Sequence, residues 1–175
     1  MRPAAHEFPA YYEQYVDQVQ ADDVLTVLRE QREEIATLGS TLDDDRARFR
    51  YEEGKWSIKE VIGHLTDAER IFGMRALCIA RGETQPIPGF DENVYVSNAV
   101  FDERPIESIV DEWFSLRDAN IRLLESLAEP DLSRIGIANG KPITSRAIFW
   151  TVAGHTIHHV RVLRERYLPL LEGTP

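Results

Sequence analysis

Residues 148–167 read IFWTVAGHTIHHVRVLRERY. Ile148, Val152 and Val162 recur at helical spacing, and His155 and His159 fall on the same stripe. One turn apart, the two imidazoles point within about 40° of each other, toward the side that the aliphatic residues mark as core. His64 has the same placement in a second periodic run, flanked on its stripe by Val61, Ala68 and Ile71. Unpaired ring nitrogens are costly in an apolar interior, and an ion shared between them offsets that cost. Imidazole is a common metal ligand, so three rings converging from two helices can form a three-nitrogen site with open positions.

Working outward, four long segments carry helical periodicity and none carries convincing strand alternation. The first is expected over Asp22 to Leu38, with Val24, Leu25, Leu28, Ile35 and Leu38 apolar and Gly39 as its stop, after a short turn or helix within Tyr11 to Val19. The second starts at Ile58, because Ser57 and Glu60 make a capping box and Trp56 and Val61 a hydrophobic staple. It runs to about Arg81, before Gly82. The segment from Gly82 to Arg104 holds Pro86, Pro88 and Gly89 and reads as a long loop, apolar enough to pack over the protein. The third helix begins near Pro105 and ends about Leu127. Asn139-Gly140 marks a tight turn within Ile135 to Ile143, in a small hairpin or a loop. The fourth helix follows Thr144 or Ser145 and ends near Leu168, before Pro169. The expected fold class is all-α, a four-helix bundle formed by one domain over residues 1–175.

Composition narrows the function. Hydrophobic residues make up 43% of the 175 and charged residues 29%, and 30 acidic against 20 basic side chains give a formal net charge of −10. Such a surface repels phosphate backbones, which argues against nucleic acid as a partner. A single cysteine, Cys78, excludes an intramolecular disulfide, and no stretch has the length of a membrane span. No signal-peptide core precedes Tyr15, so a cytoplasmic protein is expected. A phosphate loop, a nucleophile elbow and an H-E-x-x-H motif are all missing.

Among the remaining polar residues, His158 is rotated about 100° from His159 and reads as a rim group that contacts substrate or a ligand. Asp67 lies about 60° around the helix from His64. Its carboxylate could hydrogen-bond a metal-bound water or orient another ligand, or simply pair with Arg70 or Arg75 on an exposed helix face. Glu69 points away from His64 and reads as an ion-pair partner. Arg75, on the apolar stripe, is explained by pairing or snorkelling.

Gly54-Lys55-Trp56-Ser57, Glu60, Gly63-His64-Leu65, Asp67-Ala68-Glu69-Arg70, Pro88-Gly89-Phe90-Asp91, Gly154-His155-Thr156-Ile157-His158-His159 and Leu163-Arg164-Glu165-Arg166-Tyr167 together resemble the DinB-like superfamily in order and spacing. The resemblance implies an up-down-down-up four-helix bundle, often a homodimer, with a divalent metal on His64, His155 and His159. It also implies a metalloenzyme: members include S-transferases that use thiols such as bacillithiol or mycothiol, and isomerases. Zinc or nickel is the expected ion, with manganese, iron or cobalt as alternatives. The ion would activate a low-molecular-weight thiol or water toward a small electrophile, a transferase first and a hydrolase second, with Asp67 or His158 handling the proton. Phe90, Tyr95 and Trp150 are candidates for the pocket wall. A metal-binding module without turnover is the alternative, and three hydrogen-bonded core histidines without metal are a third reading.

Overall fold

The computed structural model describes residues 1–172. Four long helices carry the fold: α1 Val24–Ser40, α2 Ile58–Ala80, α3 Ile106–Ser126 and α4 Ser145–Val162. Each start has a chemical cause. Asp23 accepts the backbone N–H groups of Leu25 and Thr26, and Thr144 accepts that of Ala147 at 3.1 Å. At α2 the capping box forms as expected, with Glu60 N–H donating to Ser57 Oγ at 3.0 Å and Ser57 N–H to Glu60 Oε2 at 2.7 Å. Gly82, at φ +84°, ends that helix. Pro105 sits just outside α3 rather than at its first position, and the remote carboxylate of Asp44 accepts the Ile106 N–H at 2.7 Å.

Three boundaries differ from the sequence reading. Gly39 does not stop α1; it lies inside the helix, where an added Cβ would come within 3.1 Å of Val110 Cγ2, so the glycine allows a close approach to α3. The fourth helix does not end before Pro169. Leu163–Tyr167 form a π-helical turn in which the Leu168 N–H donates to Leu163 O, five residues back, and Leu168–Glu172 continue as α-helix. Widening the turn relieves the clash that proline imposes on the carbonyl four residues earlier. The apolar loop after Gly82 contains a helix, Glu92–Ala99, capped by Asp91. Only Val96 in it is buried, so there was no apolar stripe to read. The turn at Asn139 and Gly140, both at positive φ, closes a hairpin of β1 Ile135–Ala138 and β2 Lys141–Thr144.

Helix direction follows from two buried clusters. One gathers Val24 and Leu28 of α1, Phe72, Ala76 and Ile79 of α2, Ile121 of α3, and Ile148 and Val152 of α4. The other gathers Ile35 and Leu38, Ile58, Ile62 and Leu65, Ile109 and Trp113, and Val160. Thus α1 and α4 run one way and α2 and α3 the other, up-down-down-up. Both α1 and α2 pack against α3 and α4. Among the described residues no helix is long and apolar enough to cross a membrane.

Between the clusters lies a buried polar layer centred on Arg117, which is fully enclosed. Its Nε and Nη2 donate to Glu69 Oε1 at 3.0 and 2.5 Å, Nη1 to Leu28 O and Gln31 Oε1, and Nη2 also to Thr156 Oγ1. Asn120 Nδ2 donates to the other Glu69 carboxylate oxygen at 2.8 Å, and Gln31 Nε2 to Ala153 O. All five guanidinium hydrogens are satisfied, and all four helices contribute. Removing one partner strands a buried charge, so Arg117→Met should destabilise the fold by about 3–5 kcal/mol. Adding Glu69→Leu should recover most of that loss in urea denaturation; a single variant as stable as wild type would show that the layer does not hold the bundle together.

Candidate metal centre

The cap at Ser57 sets where α2 begins and therefore which way His64 faces, about two turns later. The α4 stripe presents His155 and His159 to the same point. His155 Nε2 lies 3.1 Å from His64 Nε2 and 3.1 Å from His159 Nε2. His64 and His155 are 4% and 6% exposed. Burial pulls the His64 pKa down to about 4, and burial reinforced by the neighbouring imidazoles holds His155 and His159 well below the ordinary histidine range. All three are neutral at neutral pH, the form that binds metal.

Three neutral imidazoles cannot satisfy one another at one point, since His155 Nε2 can carry at most one proton for two neighbouring nitrogens. A cation can satisfy all three lone pairs. Bonds of 2.0–2.1 Å place ligand nitrogens about 3.3 Å apart in a tetrahedron and about 2.9 Å apart in an octahedron, and the observed 3.1 Å lies between these values. The residues present therefore fit a divalent ion on one face. No carboxylate or thiol joins the group among the described residues. His155 Nδ1 is buried without a hydrogen-bond partner, so its ring is oriented by packing against Tyr15 and Phe72, at 5.3 and 6.2 Å between centroids.

A cavity of about 270 Å³ opens on the three histidines. Trp56 forms one wall: expected to staple the helix start, it places its ring 4.9 Å from His64 and near-parallel to His159. Tyr11, Tyr12 and Tyr15 form another, carried by the segment before α1. An added Cβ on Gly154 would lie 1.9 Å from Tyr15 O. Glycine beside His155 is what lets this backbone lie directly on α4. Phe90 lines the cavity as expected; Tyr95 does not, and lies against Phe90 with the rings tilted and their centroids 5.2 Å apart. Trp150 does not; it is buried elsewhere, beneath Arg2.

His158 lines the cavity, its ring 5.8 Å from Tyr15 and 5.1 Å from His159. Burial and then the Arg161 charge lower its pKa. Asp67 is not brought to the cavity. Its electrostatic neighbours are Arg70, Glu112 and Arg104, and burial raises its pKa. An offset of about 60° on the helix suffices to turn it toward α3. Glu69, as expected, is an ion-pair partner. The sequence reading did not find the tyrosines, Glu92 or Asn139 in the cavity lining, and it treated Arg75 as unremarkable. The available signals were the Tyr11-Tyr12-x-x-Tyr15 cluster and an arginine whose positions three and four residues away are Ile71, Phe72, Cys78 and Ile79.

The model of the DinB superfamily matches residues 27–163. The chain belongs to the DinB superfamily. A protein of Geobacillus thermodenitrificans (strain NG80-2) named "Putative metal-dependent hydrolase" is 26% identical over 157 residues, 85% of this chain and 88% of that protein. Among solved structures the fold is similar to YfiT from Bacillus subtilis, described as "a probable metal-dependent hydrolase with an unusual four-helix bundle topology", with a TM-score of 0.76 and 17% identity over 97% of this chain and 93% of that one. It is also similar to a mycothiol-dependent maleylpyruvate isomerase, with a TM-score of 0.66 and 15% identity over 83% of this chain and 61% of that one. At these identities the two structures bear on fold alone.

The convergence of His64, His155 and His159 predicts about one divalent ion per chain by elemental analysis of untagged protein. His155→Ala and His159→Ala should abolish binding, whereas His158→Ala should keep it; equal losses in all three would refute the division between the group and its rim. A pH dependence follows as well. The folded-state pKa of His64 is depressed from 6.5 to about 4, so below the ordinary value the unfolded chain takes up protons that the folded chain refuses. The metal-free protein should lose stability as pH falls from about 6.5 to about 5.5, above the range in which the carboxylates with lowered pKa (Glu7, Asp23, Asp44 and Glu112) add their own losses; a urea midpoint unchanged over that upper window would show that the three rings are solvated.

Proposed function

We propose that the protein is a metal-dependent enzyme acting on a small molecule, with His64, His155 and His159 as ligands. The observation that carries this reading is the one-sided arrangement of the group: three ring nitrogens from two helices, no fourth donor among the described residues, and a cavity of about 270 Å³ on the open side. A zinc or nickel ion held there would act as a Lewis acid, lowering the pKa of a water or thiol that shares it. The rest of the chemistry belongs to the chain. Trp56, Tyr15 and Phe72 exclude bulk water around the rings, which strengthens polar interactions with whatever enters. Burial, the largest cause, raises the Tyr15 pKa and keeps its hydroxyl protonated, a donor and not a base. His158 is the one imidazole at the rim outside the group, and its lowered pKa suits it to accept a proton from the nucleophile and return it to the leaving group.

Hydrolysis is the reading favoured by what the relatives are called. Transfer of a small thiol is the second, favoured by the mycothiol dependence of a protein with the same fold. Both use one site and differ in the nucleophile. A cytoplasmic location suits the second, because a low-molecular-weight thiol stays reduced there.

Metal-loaded protein assayed with chromogenic esters, and with small thiols plus a chloronitrobenzene, should show activity in one of the two series. Chelation should remove it and the ion restore it. His158→Gln should lower turnover by about 100-fold or more and leave metal content unchanged. A spectroscopic finding that the bound ion has no exchangeable position would defeat the enzymatic reading in favour of a metal-stapled binding module.

A further inference from the structure

Four cationic side chains are buried among the described residues: Lys59, Arg75, Arg117 and Arg146. Lys59 is paired with Asp44, Arg117 with Glu69, and Arg146 with Glu7 and Glu129. Arg75, only 2% exposed, has no carboxylate. Its Nη2 donates to Pro88 O at 2.8 Å, its Nε has no partner, and the Tyr12 side chain is the one polar side chain acting on it. Phe72 and Phe90 flank the guanidinium, with ring centroids 5.5 and 5.7 Å from Cζ. This group lines the same cavity as the three histidines. Glu92, the carboxylate of that lining, is exposed and unpaired with it.

A buried guanidinium that lacks an anion costs free energy, and its planar fork is shaped for one. We propose that Arg75, assisted by the Tyr12 hydroxyl, binds a carboxylate carried by the substrate, so that the molecule is a small carboxylic acid anchored at Arg75 with its reacting end at the imidazoles. The Phe72 ring bridges the two stations, 5.5 Å from Arg75 Cζ and 6.2 Å from the His155 ring, so a spacer of a few carbons along that ring joins them. In a chain of formal net charge −10, attraction for an anion at this site is therefore local, supplied by the buried guanidinium of Arg75 in the cavity. The placement of the reacting end rests on the metal-enzyme reading; the carboxylate site itself does not.

Calorimetric titration separates the two. The probes are mercaptopropionate and mercaptobutyrate against their methyl esters, on metal-free and on zinc-loaded full-length protein. In both forms the acids should bind at least about tenfold tighter than the esters. Arg75→Gln should erase that preference while ester affinity and metal stoichiometry stay unchanged, and Arg75→Lys should keep part of it. Tyr12→Phe, which leaves the guanidinium in place, should reduce the preference severalfold and serves if Arg75→Gln fails to fold. Equal affinity of acid and ester in the wild type, or a preference undiminished in Arg75→Gln, would overturn the proposal. Protein that takes up no metal but still prefers acids through Arg75 would sink the metal reading and support this one.

Discussion

The Arg117–Glu69 pair is the constraint on which the rest of the structure depends. It lies between two apolar clusters, touches all four helices and leaves neither partner with an unsatisfied hydrogen-bonding group. Apolar contacts between helices tolerate sliding by a fraction of a turn, because one aliphatic side chain can replace another in a groove. A guanidinium with five donors does not. Glu69 is five positions after His64 on α2, and Thr156 adjoins His155 on α4. Holding Glu69 and Thr156 on one arginine therefore sets the register that brings the three ring nitrogens within 3.1 Å of a common member. Buried ion pairs contribute little net stability compared with apolar replacements, and their best-attested contribution is register.

Burial does opposite things to the two ends of the cavity. At the histidine end it suppresses protonation, so three bases sit together as neutral lone-pair donors in a chain that is acidic overall. At the Arg75 end it cannot neutralise the group, because a guanidinium keeps its proton, and an uncompensated charge remains. The aromatic residues between and around them, Phe72, Tyr15 and Trp56, shape the cavity and keep its dielectric low. The cavity thus sets neutral lone-pair donors at one end against an uncompensated cation at the other, with aromatic rings between them.

Much of this was legible in the residues. The capping box at Ser57 and Glu60, the left-handed Gly82 and the aliphatic stripe of α4 are local signals, and each depends on neighbours within a turn or two. They placed His64, His155 and His159 on inward faces before any contact between helices was known. The segment before α1 was not legible, because its tyrosines acquire their place from residues far away in sequence, Tyr15 by lying on α4 at Gly154 and Tyr12 by packing on Phe72. The helix Glu92–Ala99 carries too few buried residues to show a period. Asp67 and Glu69 stand two apart in one motif, yet one faces Arg70 and Glu112 while the other enters the core.

The sequence by itself determined the four long helices, the face each one buries and the three imidazoles offered to the interior, since these follow from short-range geometry and from the cost of exposing apolar stripes. Tertiary structure alone decided which helices adjoin, that the ring nitrogens meet, that an N-terminal segment walls the cavity, and that among the described residues Arg75 is left without an anion while Lys59, Arg117 and Arg146 each have one. The physical reason is that a periodic pattern reports the direction in which a side chain leaves its own helix. Whether a charge or a lone pair is satisfied depends on what arrives from the opposite side, and that depends on how distant segments pack.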